Sequence, residues 1–291
     1  GISGVSFESA IADSDDDYYV SVSVADGQYY DDDPYRLTAT FSEGIDGYET
    51  EINNSFEEAD EMTLGEPVTG MIQDVNDTDF YVFDAASPGV LTIDLLSSGQ
   101  DSPWYDYFEI IVYDADKNIL ASRRADGLPD SDYDNGGLIF QAAAATEGLY
   151  YVSVSGDSGA FKTDAYELSV TLAEGSTDGY EIEPNTAWPI FDTSGAEPAN
   201  VLSFGSSIHG SLYNDFDRDW YALDVNTPGI VNINFESDLL NGQGYTMGDR
   251  SFEVQLWSLS SMDTGPIAKD VASGISGVSF ESAIADSDDD Y

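Results

Sequence analysis

The sequence predicts an all-β protein built from antiparallel sheets. Apolar residues alternate with polar ones in many short runs, and Gly, Pro, Asp, Asn and Ser separate those runs. Alternation with a period of two buries one face of a strand and leaves the other face in water. The clearest runs are Val20–Val24, Leu91–Leu95, Phe108–Val112, Tyr166–Leu172, Val231–Phe235 and Phe252–Leu256.

The runs occur in two matching sets. The stretch DTDFYVFDAASPGVLTIDL from Asp77 aligns with DRDWYALDVNTPGIVNINF from Asp217. Upstream, GYETEINNS from Gly47 aligns with GYEIEPNTA from Gly179. The chain is therefore predicted to contain two divergent copies of one domain, here called domain A and domain B.

Domain B is split along the sequence. Domain A continues to the strand-like stretches GLYYVSVSG and AYELSVTLAEG, whereas the equivalent ending of domain B occurs near the start of the chain, at Gly4–Gly44. The predicted boundaries are 1–46 for the C-terminal strands of domain B, 47–175 for domain A, and 176–291 for the N-terminal part of domain B.

A repeated stretch links the two parts of domain B. Residues 1–18 and 274–291 are the same, letter for letter, at an offset of 273. A tandem array whose repeat period equals this offset explains both the identity and the split, as does a head-to-tail polymer in which each domain B is completed by its neighbour. A duplicated end is the alternative.

Composition excludes several kinds of partner. The chain has 57 Asp and Glu against 8 Lys and Arg, a net charge of −49. This charge repels nucleic acid and anionic membranes but attracts divalent cations where carboxylates converge. The sequence has no run of about 18 apolar residues, so no membrane-spanning helix is predicted.

Catalytic groups are scarce. The chain has no cysteine and one histidine, His209, and it carries neither a phosphate-binding loop nor a nucleophile elbow. His209 is interpreted as structural. The sequence therefore predicts that the protein is not an enzyme.

Five motifs, in a fixed order, resemble the bacterial pre-peptidase C-terminal (PPC) domain. They are EIEPN (Glu181–Asn185), GSLYNDFDRDWYAL (Gly210–Leu223), TPGIV, GLYYVSV (Gly148–Val154) and YELSV (Tyr166–Val170). Domain A departs from the pattern with ETEIN, which lacks the proline, and domain B with DDDYYVSV, which lacks the glycine. The resemblance implies tandem jelly-roll-like β-sandwiches of a type appended to secreted and surface proteins, without catalytic activity of their own.

The resemblance also implies calcium near the acidic segment that opens each domain. The candidate ligands are Glu49, Glu51, Asn53, Asp74, Asp77 and Asp79 in domain A, and Glu181, Glu183, Asn185, Asp215, Asp217 and Asp219 in domain B. Calcium takes six to eight oxygen ligands of this kind. A weaker candidate loop carries Asp130, Asp132 and Asp134, with Gln141 where an EF-hand needs its glutamate. The alternative is that these acids only solvate loops.

The position of the acidic segments suggests a mechanical function. Each lies directly after the preceding domain, so a bound calcium ion would stiffen the joint. The predicted function is a repeat unit of an extracellular bacterial filament or giant surface adhesin, with identical repeats or subunits as head-to-tail partners and extracellular polysaccharide or protein as further partners. The alternative is an accessory module that holds a secreted hydrolase to its substrate or to the cell surface.

Overall fold

The computed structural model describes residues 18–22, 36–41, 46–73, 76–97, 108–124, 137–156, 165–185, 200–213, 216–236, 251–258, 265–273 and 278–284. Within these ranges the chain forms fifteen strands and no helix, which confirms the all-β prediction. The strands are β1 Asp60–Glu61, β2 Val68–Gly70, β3 Thr78–Ala85, β4 Gly89–Ser97, β5 Phe108–Tyr113, β6 Ile119–Arg124, β7 Gly137–Ala144, β8 Gly148–Gly156, β9 Tyr166–Glu174, β10 Asn200–Val201, β11 Tyr221–Ala222, β12 Gly229–Phe235, β13 Ser251–Leu256, β14 Ala268–Ser273 and β15 Val278–Ile284.

Strands β1 to β9 form a two-layered sandwich, here called the first sandwich. One sheet has the order β1-β3-β8-β5-β6 and the other the order β2-β9-β4-β7. The pairings are antiparallel except for the two-residue pairing of β1 with β3, which is parallel. The prediction of antiparallel sheets is thus confirmed for the long strands.

The core of the first sandwich is filled by the inward residues of both sheets. Tyr81, Ile110 and Val152 of the five-stranded sheet have no exposed surface, and neither do Ile93 and Val170 of the four-stranded sheet. Full burial of one such aliphatic side chain stabilises the fold by about 1.5–3 kcal/mol. The alternation read from the sequence therefore corresponds to a closed apolar core.

The chain enters and leaves the first sandwich at opposite ends of β9. Tyr48 forms a bridge with Thr69, and Thr69 pairs with Glu167 near the start of β9. The chain leaves after Glu174, where the amide of Gly175 donates to the carbonyl of Pro88. Glu174 lies seven positions after Glu167 along β9, a distance of about 24 Å.

Strands β10 to β15, here called the second strand set, repeat only part of this arrangement. Ile93 pairs with Phe140 in the first sandwich, and its sequence equivalent Ile233 pairs with Phe280 in the second set, so β12 and β15 correspond to β4 and β7. In the same way β10 and β11 correspond to β1 and β3, and β13 and β14 to β5 and β6. No described strand of the second set corresponds to β8 or β9, and a single bridge between Tyr180 and His209 stands in the place of β2.

The core of the second set is accordingly smaller. Its buried apolar residues are Leu223, Val231 and Leu256. Ile233 and Phe235 are only partly buried, whereas their equivalents in the first sandwich, Ile93 and Leu95, are 0% and 2% exposed. The inward face of the second set is therefore incompletely covered.

Residues 18–22 and 36–41 form no strand, although their alternation predicts one. Val20, Val22, Leu37 and Phe41 are between 53% and 75% exposed. The physical reason is that a lone extended segment gains no ladder hydrogen bonds and buries no face. Val24 lies outside the described residues. The assignment of 1–46 to domain B, the jelly-roll topology and the split of domain B remain predictions.

Candidate metal centres

Two groups of three carboxylates converge, one in each half of the chain. Glu49, Glu51 and Asp79 each place one carboxylate oxygen within 4.8 Å of the others, and Glu181, Glu183 and Asp219 do the same. Calcium–oxygen bonds of about 2.4 Å place ligands on opposite sides of one ion about 4.8 Å apart. Each group is therefore compact enough for its three carboxylates to bind a single calcium ion.

The first acidic segment, residues 47–53, is held against the sandwich by its backbone. The amide of Glu49 donates to the carbonyl of Thr69 at 2.9 Å, and the amide of Phe80 donates to the carbonyl of Asn53 at 3.0 Å. The amide of Thr50 donates to a carboxylate oxygen of Asp60 at 2.6 Å. These bonds hold the extended segment beside β3, which carries Asp79.

Two tyrosines join the carboxylates of the first group, and sequence reasoning missed this role. The hydroxyl of Tyr81 donates to Glu49 Oε2 at 3.0 Å and lies 2.7 Å from the hydroxyl of Tyr166. Tyr166 in turn donates to Asp79 Oδ2. The sequence signal that could have revealed this role is the alternation of side chains along β3, which places Asp79 and Tyr81 on the same inward face.

The carboxylates of the second acidic segment, residues 179–185, also accept hydrogen bonds. Glu181 Oε1 accepts a hydrogen bond from the amide of Ser211 at 2.5 Å, and Glu181 Oε2 accepts one from the hydroxyl of Tyr221 at 2.8 Å. Glu183 Oε2 accepts from the amide of Asn185 at 2.7 Å. The geometry of the first centre thus recurs, with Tyr221 in the place of Tyr81.

A glycine makes room for the first glutamate of each segment. A Cβ atom on Gly70 would lie less than 3.0 Å from Glu49 Oε2, and one on Gly210 would lie less than 3.0 Å from Glu181 Oε2. Both separations are shorter than an ordinary van der Waals contact. Gly210, the first residue of the motif GSLYNDFDRDWYAL, and its equivalent Gly70 are therefore required by the close approach of a carboxylate.

Burial and mutual repulsion raise the pKa of these acids. Burial and the neighbouring Glu49 raise the pKa of Asp79 to about 10, and burial and Glu181 raise the pKa of Asp219 to about 9. Burial, with nearby carboxylates, raises the pKa of Glu51 and of Glu183 to about 7. Like charges in a site of low dielectric favour the protonated form, and a bound cation reverses that preference.

Several buried oxygens of the two centres accept no hydrogen bond from any described residue. They are Asn53 Oδ1, Asp79 Oδ1, Glu183 Oε1, Asn185 Oδ1 and Asp219 Oδ1. An unsatisfied buried acceptor costs about 1–3 kcal/mol, which a metal–oxygen bond would offset. Because these donors are all oxygens, they suit a hard cation such as calcium better than copper or zinc. The residues present therefore fit calcium.

The remaining predicted ligands fall into two groups. Asp77 Oδ2 accepts from the amide of Gln73 at 2.5 Å, and Asp217 Oδ2 accepts from the amide of Tyr213 at 2.8 Å, so each closes the turn beside its centre. The others lie outside the described residues and remain predictions: Asp74, Asp215, Asp130, Asp132 and Asp134.

The second acidic segment also contacts the first sandwich. The hydroxyl of Tyr180 donates to Gln141 Oε1 at 2.6 Å, and Gln141 Nε2 donates to Thr92 Oγ1 at 3.1 Å. The ring of Tyr180 stacks on His209, with centroids 5.3 Å apart. His209 therefore has a packing role at this joint, next to Glu181.

Comparison with solved structures gives several similar chains, two of which are described here, while no family model matches the chain. The chain is similar to the pre-peptidase C-terminal domain of a collagenase from Bacillus anthracis, with 24% identity, 41% of this chain and 100% of that domain covered, and a TM-score of 0.31. It is also similar to CorA, a surface-associated copper-binding protein of Methylomicrobium album BG8, with 10% identity and a TM-score of 0.30. That similarity covers 40% of this chain and 98% of the CorA chain. The first of these is a PPC domain, the family that the motifs resemble.

The described part of the chain contains no helix with the length and apolar character needed to cross a membrane.

Proposed function

We propose that this chain is a structural repeat segment of an extracellular filament or giant surface adhesin, in which calcium stiffens the joints between domains. The observation that carries the proposal is the position of the carboxylate groups. Each joins an acidic segment to the strand region that carries the aspartate, and the second acidic segment begins shortly after β9, the last strand of the first sandwich.

The joint between the first sandwich and the second set supports this mechanism. Five residues, 175–179, separate the end of β9 at Glu174 from Tyr180, which contacts Gln141 of β7. Glu181 follows immediately and approaches Asp219. An ion bound by these two carboxylates ties the linker to the second set while Tyr180 ties it to the first sandwich. Calcium thereby limits rotation at the joint.

The repeated sequence supports the polymeric part of the proposal. Residues 1–18 and 274–291 are identical, and the strand β15, Val278–Ile284, has the same sequence as residues 5–11. Identical stretches of sequence separated by a long, fixed number of residues are typical of repeat proteins, in which each unit contacts its neighbours along one axis. The partners are therefore further copies of the same repeat, arranged head to tail outside the cell.

Electron microscopy of the native assembly tests this function. With calcium we expect long fibres whose axial period accommodates one pair of domains, and after chelation we expect the same fibres to bend or kink. Isolated particles that do not change on chelation would contradict the proposal. Magnesium at the same ionic strength is the control, because it distinguishes calcium binding from general screening of the −49 charge.

A second candidate function is an accessory binding module of a secreted hydrolase. The five PPC-like motifs favour it, because domains of this type occur beside secreted enzymes. This alternative predicts a catalytic domain in the same reading frame and retention of the chain on collagen or polysaccharide. Determination of the full reading frame separates the two functions, since only the filament predicts many repeats at the period that separates Gly1 from Gly274.

A further inference from the structure

Among the described residues, the second strand set has the form of a sandwich without the two middle strands, which correspond to β8 and β9. In the first sandwich β8 lies between β3 and β5, and β9 lies between β2 and β4. In the second set β11 pairs only with β10, β13 only with β14, and β12 only with β15 among the described strands. The edges of β11, β13 and β12 that correspond to those places therefore have no described strand beside them.

We propose that residues 18–22 and 36–41 of a second copy of this sequence insert into these two places and complete the second set. The inference deepens the proposed structural function and rests on it for its biological context. Addition of a strand to a sheet edge gains main-chain hydrogen bonds, and the alternating side chains give the contact its specificity.

The two segments match the missing strands in apolar pattern. Val20 and Val22 align with Val152 and Val154 of β8, which are fully buried, but are themselves 60% and 53% exposed. Leu37, at 55% exposed, aligns with the fully buried Leu168 of β9. An exposed strand segment with one apolar face is a template for pairing with another chain. Both the segments and the face of the second set thus expose the surfaces that the first sandwich buries.

A glycine of the second set marks the place of the absent strand. Gly89 and Gly229 occupy equivalent Pro-Gly turns. A Cβ atom on Gly89 would lie less than 3.0 Å from the carbonyl oxygen of Ala173 in β9, whereas a Cβ atom on Gly229 would meet nothing closer than 3.9 Å. The turn of the second set is therefore shaped for a strand that the single chain does not place there.

The path of the chain favours a second copy over closure of one chain on itself. Phe41 is five residues from Asp46, so the segment lies within about 18 Å of the point where the chain enters the first sandwich. Tyr180 is five residues from Gly175, so the second set begins within about 18 Å of the opposite end of β9. The donor segment and the acceptor set are thus attached at opposite ends of the first sandwich, an arrangement that suits head-to-tail assembly.

The pairings of the first sandwich predict the register of the inserted strands. Thr92 pairs with Thr171, and Tyr81 pairs with Val152. When these two pairings are applied to the equivalent residues of the second set, Thr40 of the donor lies opposite Asn232, and Val20 of the donor lies opposite Tyr221. Directly opposite residues of antiparallel strands have Cα atoms about 4.5–5.5 Å apart, which is within the range of a disulfide.

Disulfide trapping tests this register, because the chain has no cysteine of its own. A chain carrying Thr40→Cys is mixed with a differently tagged chain carrying Asn232→Cys under mild oxidation. We expect a disulfide-linked heterodimer from this mixture. The control is Thr40→Cys mixed with Asp224→Cys, because Asp224 is the equivalent of Asp84, which lies in the other sheet. The yield of the heterodimer is expected to be at least tenfold above that of the control. Yields equal to that control would overturn the inference. A chain with both Thr40→Cys and Asn232→Cys that closes internally as a monomer would also overturn it.

Two further variants separate strand insertion from general misfolding. Leu37→Asp in the donor is expected to abolish the heterodimer, whereas Thr38→Asp, which changes the outward face by the same charge, is expected to retain it. Gly229→Ala in the acceptor is expected to leave the melting temperature of the single chain unchanged and to lower the heterodimer yield at least tenfold. Retention of the heterodimer in Gly229→Ala and in Leu37→Asp would contradict the inference.

The trapping is carried out with calcium and with chelator so that failure of the two proposals can be distinguished. A heterodimer that forms in both conditions supports strand insertion whatever the fate of the calcium proposal. No heterodimer in either condition overturns strand insertion, even where calcium still stiffens the joint.

Discussion

The hydroxyl oxygens of Tyr81 and Tyr166 lie 2.7 Å apart and connect Glu49 of the first acidic segment to Asp79 of β3. Tyr166 belongs to β9, so the last strand of the sandwich contributes to the candidate metal centre. The acidic segment, β3 and β9 are therefore joined at one buried point.

Removal of the Tyr166 hydroxyl tests this connection. Tyr166→Phe leaves Asp79 without its donor, and we expect a loss of about 1–3 kcal/mol in the free energy of unfolding. Tyr113→Phe is the control, because the Tyr113 hydroxyl makes only a long hydrogen bond, 3.4 Å from Ser153 Oγ. Chemical denaturation measures both. Equal, small losses would show that the tyrosine pair does not position the carboxylates.

Substitution of the aspartates is expected to weaken calcium binding. Asp79→Asn and Asp219→Asn each remove one charged ligand, and we expect calcium affinity at the altered centre to fall at least about tenfold, since affinity depends on the charge of the ligand set. Isothermal titration calorimetry gives the affinity and the number of sites.

Matched controls for these substitutions exist in the chain. Asp84 and Asp224 are exposed, equivalent residues of the two halves, and Asp84→Asn and Asp224→Asn change the net charge by the same amount. Both are expected to leave calcium affinity unchanged. An equal decrease in all four variants would show that the −49 charge, not the two centres, attracts the ion.

The pH dependence of stability should change sign with calcium. The pKa values of Glu51 and Glu183 are raised to about 7 and those of Asp219 and Asp79 to about 9 and 10, so the folded chain binds more protons than the unfolded chain above about pH 4. Without metal, this contribution to stability is fully present below the unfolded pKa values and is lost as the pH rises through the folded values, first near 7 and then near 9 and 10. With calcium, the ion replaces the protons and binds more tightly as the pH rises.

Urea denaturation between pH 5 and pH 8 measures this effect. In chelator we expect the free energy of unfolding to fall across this range, and in saturating calcium we expect it to remain level or rise. The same fall in both conditions would indicate that no cation replaces the protons at these centres.

The glycine beside each centre should be sensitive to substitution. Gly70→Ala and Gly210→Ala force a methyl group against the glutamate carboxylate, and we expect each to cost about 1–3 kcal/mol through overpacking and displacement of that ligand. Thermal denaturation, together with calcium titration, checks this expectation. Unchanged calcium affinity in both variants would show that Glu49 and Glu181 do not bind the ion.

The fold was largely predictable from the sequence because its strands are long and alternate strictly. The runs around Ile93, Ile110 and Val170 all became buried strands. The alternation around Val20 predicted a strand that a single chain does not form, because a strand also needs a partner edge. The alternation of apolar and polar residues shows which face of a segment is apolar, but it does not show whether another strand covers that face.

The candidate centres were predicted in part. The resemblance to the PPC domain implied that the glutamates of each acidic segment approach aspartates further along the chain, and the structure brings Glu49 and Glu51 to Asp79 and the equivalent glutamates to Asp219. The tyrosine hydroxyls and the close approach of Gly70 were missed. These depend on contacts between residues far apart in sequence, such as Tyr166 and Glu49, which short motifs do not report.

The most direct test of the central claim is the distance distribution across the joint, measured by double electron–electron resonance between spin labels at Asp84→Cys and Asp224→Cys. These equivalent, exposed positions lie one in each half of the chain. We expect a narrow distribution of distances in calcium and a broad one in chelator, and the variant Asp219→Asn is expected to give a broad distribution in both conditions. The same distribution in calcium and in chelator would contradict calcium stiffening of the joint.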